Sequence, residues 1–565
     1  MAKADSKSLV RDRLASLRSQ PRADVLIIGG GINGIATFRD LALQGVSVVL
    51  VERNDFCSGA SAASSHMIHG GVRYLENGEL RLVKESLQER NRLLASAPHY
   101  VRPLKTTIPI FSVFSGLLSA PLRLITHRQG KPKERGAVLI KVGLMMYDLF
   151  GRNKGRLPRH SFLGRSQSLR QMPHLHPEVK FTATYYDAAM DNPERLALDV
   201  LRDGLEAGSH AQAFNYVAAE AQEGDAVILR DQVSGERVKF EAQVVINASG
   251  PWTDLTNSLL GQPTSYMGGT KGSHIVLDNP ELFEACDGRE IFFENSDGRI
   301  VLMYPILNRV LVGTTDIPVD MNDEIVCTDE EVDYFFDLVK RVFPHIHTEH
   351  SQIVYRYSGV RPLPASDGAQ PGFISRDYRI VPGALGKAKL LSLVGGKWTT
   401  FRALGEHLAN ETLDLLGASR KISTESLAIG GGKDFPVSEA NRKRWAEAHA
   451  SSVTPERAKV LLERYGTYAT RVITDIQELG DEPLAHHSGY SVGEIKSLVR
   501  NEWVSHLSDV VHRRTSLAFS GQLSHDLVVE LADIMAPLCG WSEEEKVHEI
   551  NSIVVEEGSS QWVLS

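Results

Sequence analysis

The feature that most constrains this chain is a glycine-rich turn between two apolar runs near its start. The first run leads into Gly29-x-Gly31-x-x-Gly34, a helix-forming segment follows, and the second run ends at Glu52. Such runs are typical of strands buried in a parallel sheet. The glycines allow a tight turn, close approach of a pyrophosphate and close packing of helix on strand, and the acid stands where it can accept ribose hydroxyls. The pattern therefore predicts a βαβ unit that binds a dinucleotide at its helix start.

Composition and charge narrow the class of protein further. A length of 565 residues predicts about two to four domains, and a net charge of −8 argues against a general nucleic-acid binder. The four cysteines are far apart without metal-site spacing, so we expect a reduced protein with no disulfide and no bound metal. No apolar run is long enough to span a bilayer. Residues 1–22 lack the apolar core of a secretory signal, and we expect a short lead-in there.

Two further segments are predicted to contact the same ligand. A loop of small residues, 58–65, leads into the stretch HMIHGGVRYLE at 66–76. Such a loop suits backbone that lies against a flat or phosphorylated ligand, with a flexible loop as the alternative. Farther along, an apolar strand at 390–394 enters Gly395-Gly396 and then a helix to about residue 416. This sequence predicts a second helix start aimed at the ligand.

The segment 117–160 reverses the charge balance of the chain. It contains ten Lys and Arg residues against Glu134 and Asp148, together with many Leu, Ile and Met residues. A basic and apolar segment inside an acidic protein is typical of contact with an anionic membrane surface. The alternative is a solvated basic face beside a buried helix.

The remaining patterns complete the predicted architecture. Alternating residues at 299–304 and 309–314 predict paired antiparallel strands of a second domain. Residues 438–565 are rich in helix formers and show no catalytic constellation, so we expect a helical domain for packing or assembly. The fold class is thus α/β, with a Rossmann-like domain, an antiparallel-sheet domain and a helical C-terminal domain.

Four separated motifs together resemble those of the FAD-dependent (aerobic, respiratory) glycerol-3-phosphate dehydrogenases. The motifs are GGGINGIA at 29–36, SSHMIHGGVRYLE at 64–76, INASGPW at 246–252 with KGSH at 271–274, and YSGVRPL at 357–363 followed by GGKWTTFR at 395–402. The resemblance covers about residues 23–405 and, more loosely, the C-terminal part. It implies a flavin rather than a nicotinamide cofactor. It also implies oxidation of sn-glycerol 3-phosphate to dihydroxyacetone phosphate by hydride transfer to flavin N5, with electrons passed to membrane quinone.

The resemblance also suggests how the domains divide along the chain. After the lead-in, residues 23–430 form the FAD-binding domain with an interleaved substrate (cap) domain, and residues 431–565 form the helical C-terminal domain. The FAD-binding parts are about 23–105, 190–260 and 355–415, and the cap parts are about 106–189 and 261–354.

The chemistry assigns roles to the polar residues of the motifs. An arginine fork matches the oxygens of a phosphate, so Arg73 and Arg361 are the predicted anchors, with a hydroxyl from Tyr74. Lys271 and Lys397 are further candidates for substrate contact. A neutral imidazole can take the hydroxyl proton, and we favour His69 over His274 as this base.

The predicted cofactor contacts come from the same motifs. They are Gly29, Gly31, Asn33, Gly34, Glu52, Ser64, Ser65, His66, His69, Gly70, Ala248, Gly250, Trp252, Gly396, Lys397 and Thr399. One residue departs from the family, which usually has lysine where this chain has His66. If that position faces the flavin's pyrimidine end, histidine supplies less positive charge there, with a shifted redox potential or substrate preference as the result. A compensated local change is the alternative.

Several alternatives remain open on the sequence. The same scaffold can act on another polyol phosphate, such as a tetritol phosphate, or pass electrons to oxygen as an oxidase. A flavin-binding membrane scaffold without turnover is an alternative of another class. We expect a peripheral protein at the cytoplasmic face of the membrane, with quinone as partner and no nucleic acid. Whether it forms a homodimer is left open.

Overall fold

The computed structural model describes residues 14–71, 79–113, 136–150, 157–295, 300–321, 323–365 and 377–553. The strands are β1 (Arg22–Ile28), β2 (Val48–Val51), β3 (Met67–Ile68), β4 (Val101–Ile110), β5 (Ser161–Gly164), β6 (Phe181–Met190), β7 (Ala211–Phe214), β8 (Val217–Glu223), β9 (Ala226–Asp231), β10 (Arg237–Asn247), β11 (Met267–Leu277), β12 (Glu290–Glu294), β13 (Ile300–Ile306), β14 (Arg309–Gly313), β15 (Ile317–Pro318), β16 (Ile353–Pro364), β17 (Arg379–Leu385) and β18 (Ala388–Val394).

The helices are α1 (Ala15–Ser19), α2 (Ile32–Leu43), α3 (Leu80–Ser96), α4 (Ala137–Phe150), α5 (Arg165–Gln171), α6 (Pro193–Leu205), α7 (Thr253–Leu259), α8 (Pro280–Cys286), α9 (Asp329–Val342), α10 (Phe401–Leu416), α11 (Glu439–His449), α12 (Pro455–Tyr465), α13 (Ala469–Leu479), α14 (Val492–Asn501), α15 (His525–Cys539) and α16 (Glu543–Ser552). A helical turn, Leu507–Asp509, runs into a π-helical segment, Val510–Arg514. None of these helices combines the length and the apolar character needed to cross a membrane.

The first sheet is the predicted dinucleotide-binding sheet. Its strands follow the order β17-β18-β10-β1-β2-β7, and all neighbours from β18 to β7 are parallel. The apolar residues 25–28 of β1 are buried, as a strand covered on both faces requires. Helices α2 and α10 pack closely, since a Cβ added at Gly405 would lie 2.9 Å from the backbone of Ala36. The two predicted helix starts therefore lie side by side.

The second sheet is mainly antiparallel, as predicted. Its order is β15-β11-β14-β13-β12-β4-β6-β3, with β5 on β6 and with β16 along the opposite edge of β11 from β14. The strands predicted at 299–304 and 309–314 are β13 and β14, and they pair antiparallel. One predicted boundary changes. Strand β16 belongs to this sheet and not to the FAD-binding part 355–415, because it pairs with β11 along its whole length.

The C-terminal domain is helical, as predicted, and has its own apolar core drawn from α11 to α16. It is joined to the first sheet by buried ion pairs. Glu502 pairs with Arg195 of α6, and Arg514 pairs with Asp55 just beyond β2. Removing one partner of a buried pair leaves an uncompensated charge, so these contacts fix the domain in place.

Candidate active site

The first glycine turn has the geometry that its sequence predicts. Gly31 is the N-cap of α2, and the next N–H, of Ile32, donates to Ser61 Oγ at 3.0 Å. A Cβ at Gly29 would lie 2.6 Å from the carbonyl oxygen of Ala248, and one at Gly34 would overlap the carbonyl oxygen of Gly29. The helix, its strand and the neighbouring strand approach this closely only because these positions lack side chains. The small-residue loop lies across the helix start.

Glu52 follows directly after β2, beside this turn. Its Oε2 accepts the N–H of Gly30 at 2.7 Å, and its Oε1 accepts the N–H of Asn54 at 2.9 Å. Burial raises the pKa of this carboxyl above 4.5, against the lowering effect of the two backbone donors. Each carboxylate oxygen has a second lone pair, which a ribose hydroxyl can use.

The second glycine turn lies against the first. Gly396 has a φ of 108°, which favours glycine, and a Cβ there would overlap the side-chain amide of Asn33. The Oδ1 of Asn33 is buried, without a hydrogen-bond partner in the described residues. Thr399 Oγ1 donates to the carbonyl oxygen of His69 at 3.1 Å, and Trp398 Nε1 donates to that of Ser61 at 2.9 Å. Both predicted turns are thus brought together with the loop between them.

The residues that follow β10 form a third side of the predicted cofactor site. Gly250 has a φ of 62°, and a Cβ added there would meet no atom within 4 Å. Trp252 lies next to Gly59 of the small-residue loop, where an added Cβ would be 3.0 Å from its ring. A helix start, a carboxylate at a strand end and glycine-lined backbone on two sides fit a dinucleotide.

Arg361 and His274 lie on one face of neighbouring strands. The guanidinium of Arg361 lies over Gly272, where an added Cβ would be 2.5 Å from its Cζ. His274 follows Gly272 by two residues on β11, so alternation places both on the same face. Ala63 of the small-residue loop touches this face at Gly359. The fold therefore brings the predicted arginine and histidine together beside the predicted cofactor site.

Three neighbours fix the orientation of Arg361. Its Nη1 donates to Asp316 Oδ1 at 3.0 Å, and its Nη2 donates to Thr314 Oγ1 at 2.9 Å and to the carbonyl oxygen of Thr315 at 2.8 Å. The side chain is 18% exposed, so the fork is held while part of it remains accessible. The sequence contains no local signal for Asp316, which acts on a residue 45 positions away.

His274 is a buried, neutral imidazole. Its Nε2 shares a hydrogen bond of 2.8 Å with Ser65 Oγ, and its ring stacks on Tyr357 with centroids 4.9 Å apart. Burial lowers the pKa of His274 well below 6.5, and the nearby Arg361 lowers it further. A histidine that stays uncharged at neutral pH can accept a proton from an alcohol.

The two predicted lysines are placed differently. Lys271 does not face the predicted substrate site. It lies between Thr270 and Gly272, so the alternation of side chains along β11 places it on the opposite face from Gly272 and His274. There it is 7% exposed and paired with Glu331 of α9 at 2.8 Å. Lys397 stays at the second glycine turn, where its Nζ donates to Ser86 Oγ of α3 at 2.7 Å.

Gly70 is held by a buried polar cluster that the sequence did not reveal. Its N–H donates to Asp187 Oδ1 and to the hydroxyl of Tyr147, each at 3.0 Å. Arg90 Nη1 donates to the same Asp187 oxygen at 2.8 Å. The cluster fixes the backbone at Gly70. The predicted Arg73 and Tyr74 themselves lie outside the described residues.

His66 points towards the C-terminal domain. Its ring stacks on Phe519 with centroids 4.7 Å apart, and it is 3% exposed. Burial lowers its pKa to about 4, so the side chain is neutral at pH 7. The neighbouring Ser64 accepts a hydrogen bond from Tyr357 Oη at its carbonyl oxygen, at 2.7 Å.

Comparison with known proteins agrees with this geometry. Residues 24–410 match the family of FAD dependent oxidoreductases, and residues 422–546 match the C-terminal domain of alpha-glycerophosphate oxidase. Glycerol-3-phosphate dehydrogenase of Synechocystis sp. is 32% identical over 92% of this chain and 94% of its own length. D-erythritol 1-phosphate dehydrogenase of Brucella abortus is 31% identical over 87% of this chain and 94% of its own length.

The fold has a solved counterpart. The structure of glycerol-3-phosphate dehydrogenase from Bacillus halodurans, complexed with FAD, superposes with a TM-score of 0.75 over 97% of each chain, at 23% identity. The match extends over both sheets and the helical domain. The cofactor of this chain is accordingly FAD, and the chain belongs to the FAD-dependent glycerol-3-phosphate dehydrogenase family.

Proposed function

We propose that the protein oxidises sn-glycerol 3-phosphate to dihydroxyacetone phosphate. The observation that carries the proposal is the shared face of β11 and β16, where a fixed arginine and a neutral histidine lie beside the dinucleotide site. The names of relatives that match nearly the whole chain support the same substrate.

Arg361 is the proposed phosphate anchor. Guanidinium groups bind phosphate oxygens in a bidentate fashion, and the bonds to Asp316 and Thr314 hold the plane of this one. We retain Arg73 and Tyr74 as further phosphate contacts on the strength of their motif.

His274 is the proposed base. Oxidation removes a hydride from the carbinol carbon, which bound FAD accepts, and a proton from the hydroxyl oxygen. His274 can take that proton at Nδ1, which has no hydrogen-bond partner among the described residues, while the hydrogen bond between Nε2 and Ser65 orients the ring. The sequence favoured His69, but the placement of His274 beside Arg361 makes it the stronger candidate. Replacing each by Asn separates them: His274→Asn should lower kcat far more than His69→Asn.

Anaerobic titration of the yellow protein with glycerol 3-phosphate tests the activity. We expect loss of the flavin absorption near about 450 nm with wild-type protein and no change with glycerol, which lacks the phosphate. Arg361→Ala should keep its flavin but need far more substrate. No bleaching by any polyol phosphate would refute the proposal and favour a scaffold without turnover.

A tetritol phosphate is the second candidate substrate, because one relative is a D-erythritol 1-phosphate dehydrogenase. The same titration with glycerol 3-phosphate and erythritol phosphates decides between them. The substrate with the larger kcat/KM is the physiological class.

We also propose that the protein lies on the cytoplasmic face of the membrane and passes electrons to quinone. One face of α4 supports this: Val138, Val142, Met145 and Leu149 are 38–60% exposed at spacings of four, three and four residues. This helix belongs to the basic segment 117–160, whose remaining residues at 117–135 and 151–156 lie outside the described residues. An apolar stripe in a basic segment is suited to an anionic lipid surface.

Vesicle flotation tests the membrane contact. Wild-type protein should float with vesicles that contain phosphatidylglycerol and less well with phosphatidylcholine alone. Met145→Asp should abolish flotation, whereas Val437→Asp, at a site that is 70% exposed outside this helix, should not. Equal flotation of both variants would exclude the stripe as the contact. A peroxide assay during turnover distinguishes quinone from oxygen as the acceptor.

A further inference from the structure

Two stacked ring pairs, joined to each other by tilted contacts, form an aromatic column between His274 and the C-terminal domain. His274 stacks on Tyr357 at 4.9 Å and 10°, and the ring of His66 stacks on Phe519 at 4.7 Å and 28°. Tyr357 lies 6.5 Å from His66 and 6.3 Å from Phe519. Phe519 is the one member of this column contributed by the C-terminal domain.

Phe519 also contacts Tyr355 beside the column, with ring centroids 5.7 Å apart. A cleft opens beside it, lined among others by Glu194, His66, Tyr357 and Phe519. If the ring of Phe519 is lost, this open side supplies no side chain to take its place against His66.

Two arginines of the C-terminal domain, shortly before Phe519 in the chain, hold a residue that precedes the small-residue loop. Asp55 accepts hydrogen bonds from Arg514 Nη1 at 2.6 Å and Nη2 at 2.9 Å, and from Arg513 Nε at 2.5 Å. All three side chains are buried. Residues 513–519, which we name the clamp segment, therefore contact the chain on both sides of the small-residue loop, at Asp55 and at His66.

The loop between these two contacts performs two tasks. Ser61 accepts the N–H of Ile32 at the start of α2, and Ser65 bonds to His274 Nε2. Both bonds depend on where the loop lies, and both of its ends are fixed by the C-terminal domain.

We propose that the clamp segment is a positioning element of the active site, with Phe519 holding His66 so that the adjacent Ser65 aligns His274. The inference rests on the proposed function, since it concerns the proposed base. The C-terminal domain then completes the catalytic unit and is not only an assembly module.

The test compares Phe519→Ala and Phe519→Leu with a matched control. Trp445→Leu removes another histidine–aromatic stack of the same domain, the Trp445–His449 pair at 4.1 Å and 14°, far along the chain from the clamp segment. Phe519→Tyr keeps the ring and serves as the conservative rescue. All variants are prepared as full-length holoenzyme.

The first readout is amide hydrogen exchange in residues 58–65. We expect exchange there to rise about tenfold or more in Phe519→Ala and Phe519→Leu, because the chain around the loop loses one of its two contacts with the clamp segment. Trp445→Leu and Phe519→Tyr should leave it unchanged. This readout does not depend on turnover. It therefore tests whether the clamp segment holds the loop even if glycerol 3-phosphate fails to reduce the wild-type flavin.

The second readout is the pH dependence of kcat/KM. The titratable groups facing His274 are Arg361 and Tyr357 from β16 and His66 from the loop, while β14 contributes only Gly313. A loosened loop admits water, so the apparent pKa of the base should rise towards 6.5 and activity should fall earlier as the pH is lowered. If the Phe519 variants match Trp445→Leu in loop exchange and in pH profile, the clamp does not position the site. The more conservative Phe519→Leu decides this if Phe519→Ala fails to fold.

Discussion

Gly272→Ala is the sharpest test of the phosphate anchor, because it moves Arg361 without removing it. An added Cβ would lie 2.1 Å from the Nη2 of Arg361, and ordinary contact begins at 3.4 Å, so the guanidinium must retreat by about 1.3 Å (3.4 − 2.1). That shift breaks or strains its bonds to Asp316 at 3.0 Å and to the carbonyl oxygen of Thr315 at 2.8 Å. A misplacement of about 1 Å costs up to about 100-fold. We therefore expect the KM for glycerol 3-phosphate to rise about 10- to 100-fold.

The assay is steady-state reduction of an artificial dye over a range of substrate concentrations, with FAD content measured from the absorption spectrum. Gly268→Ala is the matched control, since it lies on the same strand and its Cβ would meet Ala365 and Pro364 only at an ordinary 3.4 Å. It should leave KM within about twofold of wild type. An unchanged KM in Gly272→Ala, or an equal rise in Gly268→Ala, would show that the position of Arg361 does not set substrate affinity.

Three further outcomes are expected. Gly34→Ala should purify without flavin, because its methyl group would overlap the carbonyl oxygen of Gly29 and push the helix start away; full yellow colour would contradict this. Tyr147→Phe should raise the KM about five- to tenfold at unchanged FAD content, because Gly70 loses one of its two acceptors; an unaltered KM would remove the cluster from substrate binding. Burial raises the pKa of the Asp55 carboxyl, but the positive charges of Arg514 and Arg513 outweigh burial and hold this pKa well below 3.8. A depressed carboxyl pKa stabilises the fold above the unfolded pKa and loses this effect as the pH falls through the folded pKa. Calorimetry should therefore show the same Tm difference between wild type and Asp55→Asn at pH 8 and pH 5, and a smaller one below pH 4; a difference that shrinks already by pH 6 would contradict the ion pairs.

The sequence predicted the parts of the site that are local in the chain. The glycine turns at residues 29–34 and 395–396 follow from steric rules that act within a few residues, and both turns have the expected geometry. The strand pair β13 and β14 and the helical C-terminal domain follow from periodicity for the same reason.

The contacts that complete the site join residues far apart in the chain. Ser65 and His274 are 209 positions apart, and Asp55 and Arg514 are 459 positions apart, so no local pattern reveals either pair. The charges of Arg513 and Arg514 can be read from the sequence, but their buried partner Asp55 cannot. Lys271 was a candidate for substrate contact, but it pairs with Glu331 on the opposite face of β11, and its motif gives the residue types without the direction of the strand's side chains.

The two faces of helix α4 limit how the enzyme can be shortened. Its exposed apolar stripe makes the surrounding segment an obvious target for deletion when a more soluble protein is wanted. The opposite side of the helix carries Tyr147, which reaches the backbone of Gly70. Deleting this segment would therefore remove the Tyr147 hydroxyl that supports Gly70, and polar replacements on the exposed face of the helix alone are the safer route to a soluble, folded sample.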